Sequence, residues 1–118
     1  MLILHYPACS TCRKALKWLT EHELPHTPRH IVEQNPTAAE LREWISRSGL
    51  PIARWFNTSG LIYKERGLKD VVKTASDDEL IDLLASEGKL VKRPILLTDD
   101  GRVLLGFKEA EWEMRLLD

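Results

Sequence analysis

Two cysteines are all that this 118-residue sequence contains, and they stand only two residues apart. A small secreted domain held by disulfides carries more, spread along the chain to close longer loops. An excess of charge of either sign is also missing. Lys plus Arg number 17 against 18 Asp plus Glu, a formal net charge of -1, which argues against a chain built mainly to bind nucleic acid directly by neutralising phosphates, though a local basic patch is compatible with it. No apolar run approaches the roughly 20 residues that span a bilayer, which gives no reason to expect a membrane partner. The first residues, Met1 to Pro7, have too short an apolar part and no basic stretch for a signal peptide. These absences lead us to expect a cytoplasmic protein. Repeats, low-complexity stretches and linkers are likewise lacking, which favours one domain over residues 1–118. Apolar residues, at 43% with four Trp, suffice to fill its core.

The hydrophobic periods change along the chain. Leu2 to Tyr6 has the character of a short buried strand, and a helix follows with Cys12, Ala15, Leu16 and Leu19 spaced i, i+3, i+4, i+7. Ser10 or Thr11 is the expected cap and Pro25 the stop. Thr27 to Val32 is a second strand, interrupted by Pro28. Thr37-x-x-Glu40 is a capping box ahead of Leu41, Trp44 and Ile45, with Gly49 ending that helix. Pro51 to Phe56 suggests a short helix with Pro first, Asn57 to Gly60 a loop, and Leu68 to Val72 a turn or two of helix. Ser76-x-x-Glu79 repeats the capping box, with Leu80, Leu83 and Leu84 inward and Gly88 as terminator. Asp99-Asp100-Gly101 between Ile95–Thr98 and Val103–Leu105 is a hairpin signal, and a last helix covers about Glu109 to Leu117. The order is βαβ, a helical insertion over about 37–90, then ββα. That is the thioredoxin-like α/β plan, a mixed four-stranded sheet flanked by helices.

Cys9-Ser10-Thr11-Cys12-Arg13-Lys14 lies where the first strand turns into the first helix. Free N–H groups and the positive end of a helix stabilise a thiolate, and Arg13 and Lys14 add positive charge. Cys12 belongs to the apolar stripe and should be the more buried. An exposed attacking thiolate backed by a shielded resolving thiol suits disulfide exchange. Two other uses of the pair stay open. Cys-x-x-Cys is half a zinc ligand set, although His5, His22, His26 and His30 supply only chance spacings for the other half. Two ordinary small core residues would also fit. Trp18, Trp44, Trp55 and Trp112 could form a partner-binding set, but core or half-buried packing is expected for most of them, and Asp77-Asp78-Glu79 is a favourable helix N-terminus.

With Tyr6-Pro7-Ala8-Cys9-Ser10-Thr11-Cys12-Arg13-Lys14-Ala15, Phe56-Asn57-Thr58-Ser59-Gly60, Tyr63-Lys64-Glu65-Arg66-Gly67-Leu68 and Leu90-Val91-Lys92-Arg93-Pro94-Ile95 assembled, the chain resembles the arsenate reductase–Spx family nearly end to end. The stretch from Phe56 to Leu68 is similar to its uncharacterised arsenate reductase-like branch. The resemblance implies a cis Pro94 facing the cysteines, and catalytic roles for Cys9, Cys12 and Arg93. It also implies a redox protein without a bound cofactor, reduced by a thioredoxin system or by glutathione and glutaredoxin. In the family's glutaredoxin-coupled reductases the cysteine matching Cys9 attacks arsenate, and three arginines hold the oxyanion. Arg93 matches one of these. The other two positions fall near Asn57 or Thr58 and near Gly106 or Phe107, none of them a guanidinium. Those enzymes also lack a cysteine matching Cys12. Spx-type regulators share the Cys-x-x-Cys and bind the RNA polymerase alpha subunit. Gly49 falls where their polymerase-contacting glycine lies, a position that a helix C-cap explains equally. Arg93 falls where their arginine senses the state of the cysteines.

Overall fold

A computed structural model describes residues 1–117. In chain order it contains β1 (Leu2–His5), α1 (Ser10–Glu21), β2 (Thr27–His30), α2 (Ala38–Ser48), α3 (Leu61–Glu65), α4 (Leu68–Thr74), α5 (Asp77–Ser86), β3 (Ile95–Leu97), β4 (Val103–Leu105) and α6 (Glu109–Leu116). Single 3-10 turns occur at Ile52–Trp55 and Gly88–Leu90. The four strands form one mixed sheet in the order β2-β1-β3-β4, with β1 parallel to β2 and the other pairs antiparallel. No helix among the described residues is long and apolar enough to cross a membrane.

Two compact units are distinguishable: Met1–His30 together with the stretch that begins at Arg93, and Ile31–Lys92. The first holds the sheet. Side chains alternate across a strand, so Ile3, Leu96 and Leu104 share one face, where they bury against Ala15, Trp18 and Leu19 of α1 and Trp112 of α6. Each of the Ile and Leu side chains removed from water contributes roughly 1.5–3 kcal/mol. Trp18 and Trp112 meet edge to face at 5.7 Å, and Phe107 meets Trp112 likewise at 4.7 Å. Pro28 sits on the edge strand β2 opposite Ile3, where its missing N–H is tolerated. β2 stops at His30 rather than at Val32 because β1, the strand it pairs with, ends at His5, the residue opposite.

α1 ends in a Schellman motif. The Leu24 amide donates to the Leu19 carbonyl at 3.0 Å and the Glu23 amide to Thr20 at 3.1 Å, with Glu23 at φ 55. The chain therefore leaves the helix before Pro25 is reached. Trp18, rather than Leu16, completes the fully buried stripe.

In the second unit α2 packs against α5, and their buried residues are Leu41 and Trp44 on one, Leu80, Ile81 and Leu84 on the other. Both N-termini have the expected caps. Thr37 and Glu40 form the reciprocal capping box, and the Ser76 hydroxyl accepts from Glu79 at 3.2 Å. Gly49 takes the left-handed C-cap of α2 at φ 68. Gly88 departs from the expected terminator. α5 ends at Ser86, and the Asn35 side-chain amide donates to the Ala85 carbonyl at 2.9 Å. A Cβ on Gly88 would lie 2.3 Å from the Ile31 carbonyl oxygen. This glycine is required by close packing rather than by left-handed backbone. α3 has neither a side-chain cap nor a buried residue, so it leaves no periodic signal in the sequence.

Candidate functional site

The site lies in the first unit, at the end of β1. After His5 the chain makes a short turn in which the Cys9 amide donates to the Tyr6 carbonyl at 2.9 Å. The next residue opens α1, which makes Cys9 itself the N-cap. Its backbone is extended, its carbonyl accepts from the Arg13 amide at 3.1 Å, and its sulfur accepts the Cys12 amide at 3.2 Å. The expectation of Ser10 or Thr11 as cap is thereby corrected. A cysteine can play this part because its sulfur, like a serine oxygen, accepts one of the helix's four orphan N–H groups. Cys9 is half-buried, Cys12 fully buried, and both are free thiols.

The two thiols are pulled in opposite directions. Partial burial opposes ionisation of Cys9, but the Cys12 thiol and amide both donate to its sulfur. The Arg93 guanidinium adds a further hydrogen bond and its charge. The net result holds Cys9 below the ordinary thiol range. Cys12 is pushed up to about 12, first by burial and then by donating its own proton to Cys9. The cation acting on Cys9 is thus Arg93 rather than Arg13 or Lys14. Arg13 is committed elsewhere, donating from Nη1 to the Pro7 carbonyl at 2.8 Å.

Arg93 stands two residues before β3 and is joined to Pro94 by a cis peptide bond, the isomer that the resemblance implied. Its guanidinium carbon lies 4.9 Å from the centroid of the Tyr6 ring. On another side Tyr6 meets His30 at 5.6 Å in a T-shaped contact, and His30 lies 6.1 Å from His5. The His5 Nδ1 is buried without a partner among the described residues, and burial followed by the charge of His30 lowers its proton affinity. The register explains this grouping, since His5 and His30 are opposite one another at the ends of two parallel strands. Nothing in the spacing of the sequence marks His30 as a neighbour of Tyr6, or the Tyr6 ring as a neighbour of Arg93. Among the described residues no three His, Cys, Asp or Glu side chains form a set able to hold a metal ion.

The family's two further anion-binding positions hold no such groups here. The Gly106 amide donates to the Pro94 carbonyl at 2.8 Å, and the Phe107 ring packs on Trp112 and Trp18. In the second unit the Asn57 amide donates to Leu90 at 2.7 Å, and the Asn57 side chain accepts from Ser59.

A four-stranded mixed sheet with a dithiol at the first strand-to-helix turn and a cis proline ahead of β3 defines a thioredoxin-like α/β protein. The chain belongs to the ArsC family, whose model matches residues 4–114. Among solved structures it is similar to an ArsC family related protein from Bacteroides fragilis, with 54% identity and a TM-score of 0.91 over 96% of this chain and 94% of that one. An arsenate reductase from Vibrio cholerae shares 26% identity at a TM-score of 0.75, over 96% of this chain and 92% of the other. The uncharacterized protein YusI of Bacillus subtilis is 49% identical over 92% of this chain and 91% of its own length. The global transcriptional regulator Spx of Staphylococcus epidermidis is 29% identical over 89% of this chain and 78% of its own.

Proposed function

We propose that this chain is a thiol–disulfide redox protein in which Cys9 attacks, Cys12 resolves and Arg93 steadies the Cys9 thiolate. The observation that carries this reading is a half-buried Cys9 sulfur at the start of a helix, accepting the amide of a fully buried Cys12 one turn on at 3.2 Å, with the two thiols pulled in opposite directions. The Cys9 thiolate attacks one sulfur of a substrate disulfide and expels the other as a thiolate, which takes a proton from solvent. Cys12 then gives up its proton and attacks the Cys9 sulfur. The second substrate thiolate leaves, and a Cys9–Cys12 disulfide remains. Two electrons have passed to the substrate, and an external dithiol must return them. A thioredoxin system, or glutathione with glutaredoxin, supplies that chemistry, and no bound cofactor is needed. Reduction by such systems fits a cytoplasmic protein.

The test is a trap. Cys12→Ser keeps the attacking thiolate and removes the resolving step, so it accumulates a mixed disulfide that dithiothreitol releases, whereas Cys9→Ser forms none. Adducts through Cys12 alone would reverse the roles. No adduct from either variant would overturn the reading.

A second reading is a redox-sensing regulator that binds the RNA polymerase alpha subunit. It is supported by the likeness to Spx and by Gly49, which lines a surface groove of about 430 Å3 with Ile45, Pro51 and Ile81.

A further inference from the structure

We propose that Tyr6 is a positioning residue whose ring seats the Arg93 guanidinium beside the Cys9 sulfur. The inference rests on the redox reading above and adds to it a residue to which no role is otherwise given.

An arginine side chain is long, and a half-exposed one loses considerable rotamer freedom when it is held in one place. Its effect on a neighbouring thiolate depends on how much of the time the guanidinium stands close to the sulfur. Arg93 is half-buried and lies over the face of Tyr6 at 4.9 Å from the ring centroid, within the roughly 6 Å over which a ring quadrupole attracts a cation. The ring thus acts as a platform for the planar guanidinium.

Tyr6 is suited to this because its own backbone is hydrogen-bonded to Cys9. Its carbonyl accepts the Cys9 amide at 2.9 Å. One residue therefore sets the turn that presents the dithiol and the surface on which its counter-charge rests. His30 meets the same ring at 5.6 Å, which limits how far the ring can swing. The titratable and charged groups around this arrangement are Cys12 and Arg13 from α1, His5 from β1, His30 from β2, and Arg93. Arg13 is tied to the Pro7 carbonyl, so it does not substitute for Arg93.

The experiment follows alkylation of Cys9 by iodoacetamide against pH in the reduced full-length chain, locating the label by peptide mass. The proteins compared are the natural one, Tyr6→Leu, Tyr6→Phe, Arg93→Met and Tyr6→Leu/Arg93→Met. Tyr6→Leu moves the pH midpoint upward and slows labelling at pH 7 by about threefold, the scale of a half-exposed cation–π contact. Tyr6→Phe keeps the ring and restores the natural profile. In the Arg93→Met background Tyr6→Leu adds no further shift. Thermal melts of each variant separate loss of fold from loss of positioning.

A natural profile in Tyr6→Leu, alongside a shifted one in Arg93→Met, overturns the positioning role and leaves the redox reading standing. An equal Tyr6→Leu shift with and without Arg93, or failure of Tyr6→Phe to restore the profile, overturns it too. An unshifted Arg93→Met profile overturns the assignment of Arg93, and the role of Tyr6 with it.

Discussion

The Cys12 amide donates to the Cys9 sulfur at 3.2 Å, so one hydrogen bond both caps α1 and stabilises the thiolate that the proposed chemistry uses. The strand ends, the helix must begin with four unsatisfied N–H groups, and the side chain that accepts one of them is the proposed nucleophile.

Cys9 should therefore matter to stability as well as to exchange. Serine is among the best N-caps, and replacing a capping residue by alanine costs about 0.5–2 kcal/mol. Cys9→Ser should retain the stability of the reduced protein while losing exchange, and Cys9→Ala should lose both. Urea denaturation of the reduced proteins distinguishes them. Equal stability of the two variants would show that the sulfur does not cap.

Cys12 makes a prediction about pH. Its thiol is raised to about 12 in the fold, against about 8.5 for an ordinary cysteine. Its contribution to stability is fully present below pH ~8.5 and is lost as pH rises through the folded value, because the unfolded chain ionises first. Cys9 has the opposite sign. Its folded value is depressed, so its contribution is complete above the ordinary thiol value and is lost as pH falls through the folded one. Between pH 8.5 and 10 the stability of the reduced protein should thus fall more steeply than that of Cys12→Ala. Parallel slopes would contradict a proton-retaining Cys12.

These pulls also show what the sequence could disclose. Cys9, Cys12, Thr37, Ser76, Gly49 and the 99–101 turn announce themselves because their signals are local, in a motif, a cap or a turn. The sheet and its helices other than α3 follow from the same periods. Arg93 came from family resemblance, and the structure supplies a physical reason for it in the hydrogen bond to Cys9. Tyr6 and His30 stayed hidden, since their contact depends on the parallel register of β1 and β2 and on the strand-order jump that brings β3 beside β1. Charge nearby in sequence misled as well. Arg13 is four residues from Cys9, yet its guanidinium turns to Pro7, whereas Arg93 lies across the sheet's connections.

Arsenate turnover should be weak. Arg93 is one guanidinium, and Phe107 is committed to packing against Trp112 at 4.7 Å. A hydrogen bond to a charged group contributes about 1.5–3 kcal/mol. Lacking two such anchors should weaken oxyanion binding at least about a hundredfold, at 1.4 kcal/mol per factor of ten. Arsenate-dependent NADPH consumption, coupled through thioredoxin or glutaredoxin, should show a high KM. Saturation at low arsenate would mean that other groups hold the anion.

Gly49 permits a clean test of the regulatory reading. Its φ of 68 favours glycine, but a Cβ built on it meets nothing within 4 Å. A larger residue there would suffer only the cost of left-handed backbone, about 1–2 kcal/mol, without clashing with a neighbour. Contrast Gly88, where a single methyl would strike the Ile31 carbonyl at 2.3 Å and force the backbone to move. Gly49→Arg should accordingly stay folded, keep its exchange activity at Cys9, and project a long cation over the groove formed with Ile45, Pro51 and Ile81. If the chain binds the RNA polymerase alpha C-terminal domain, titration with the purified domain should give a complex that Gly49→Arg abolishes and that oxidation of the dithiol alters in affinity. Binding that survives Gly49→Arg would move the contact elsewhere on the protein. No binding in either redox state would remove the regulatory reading and leave disulfide exchange alone.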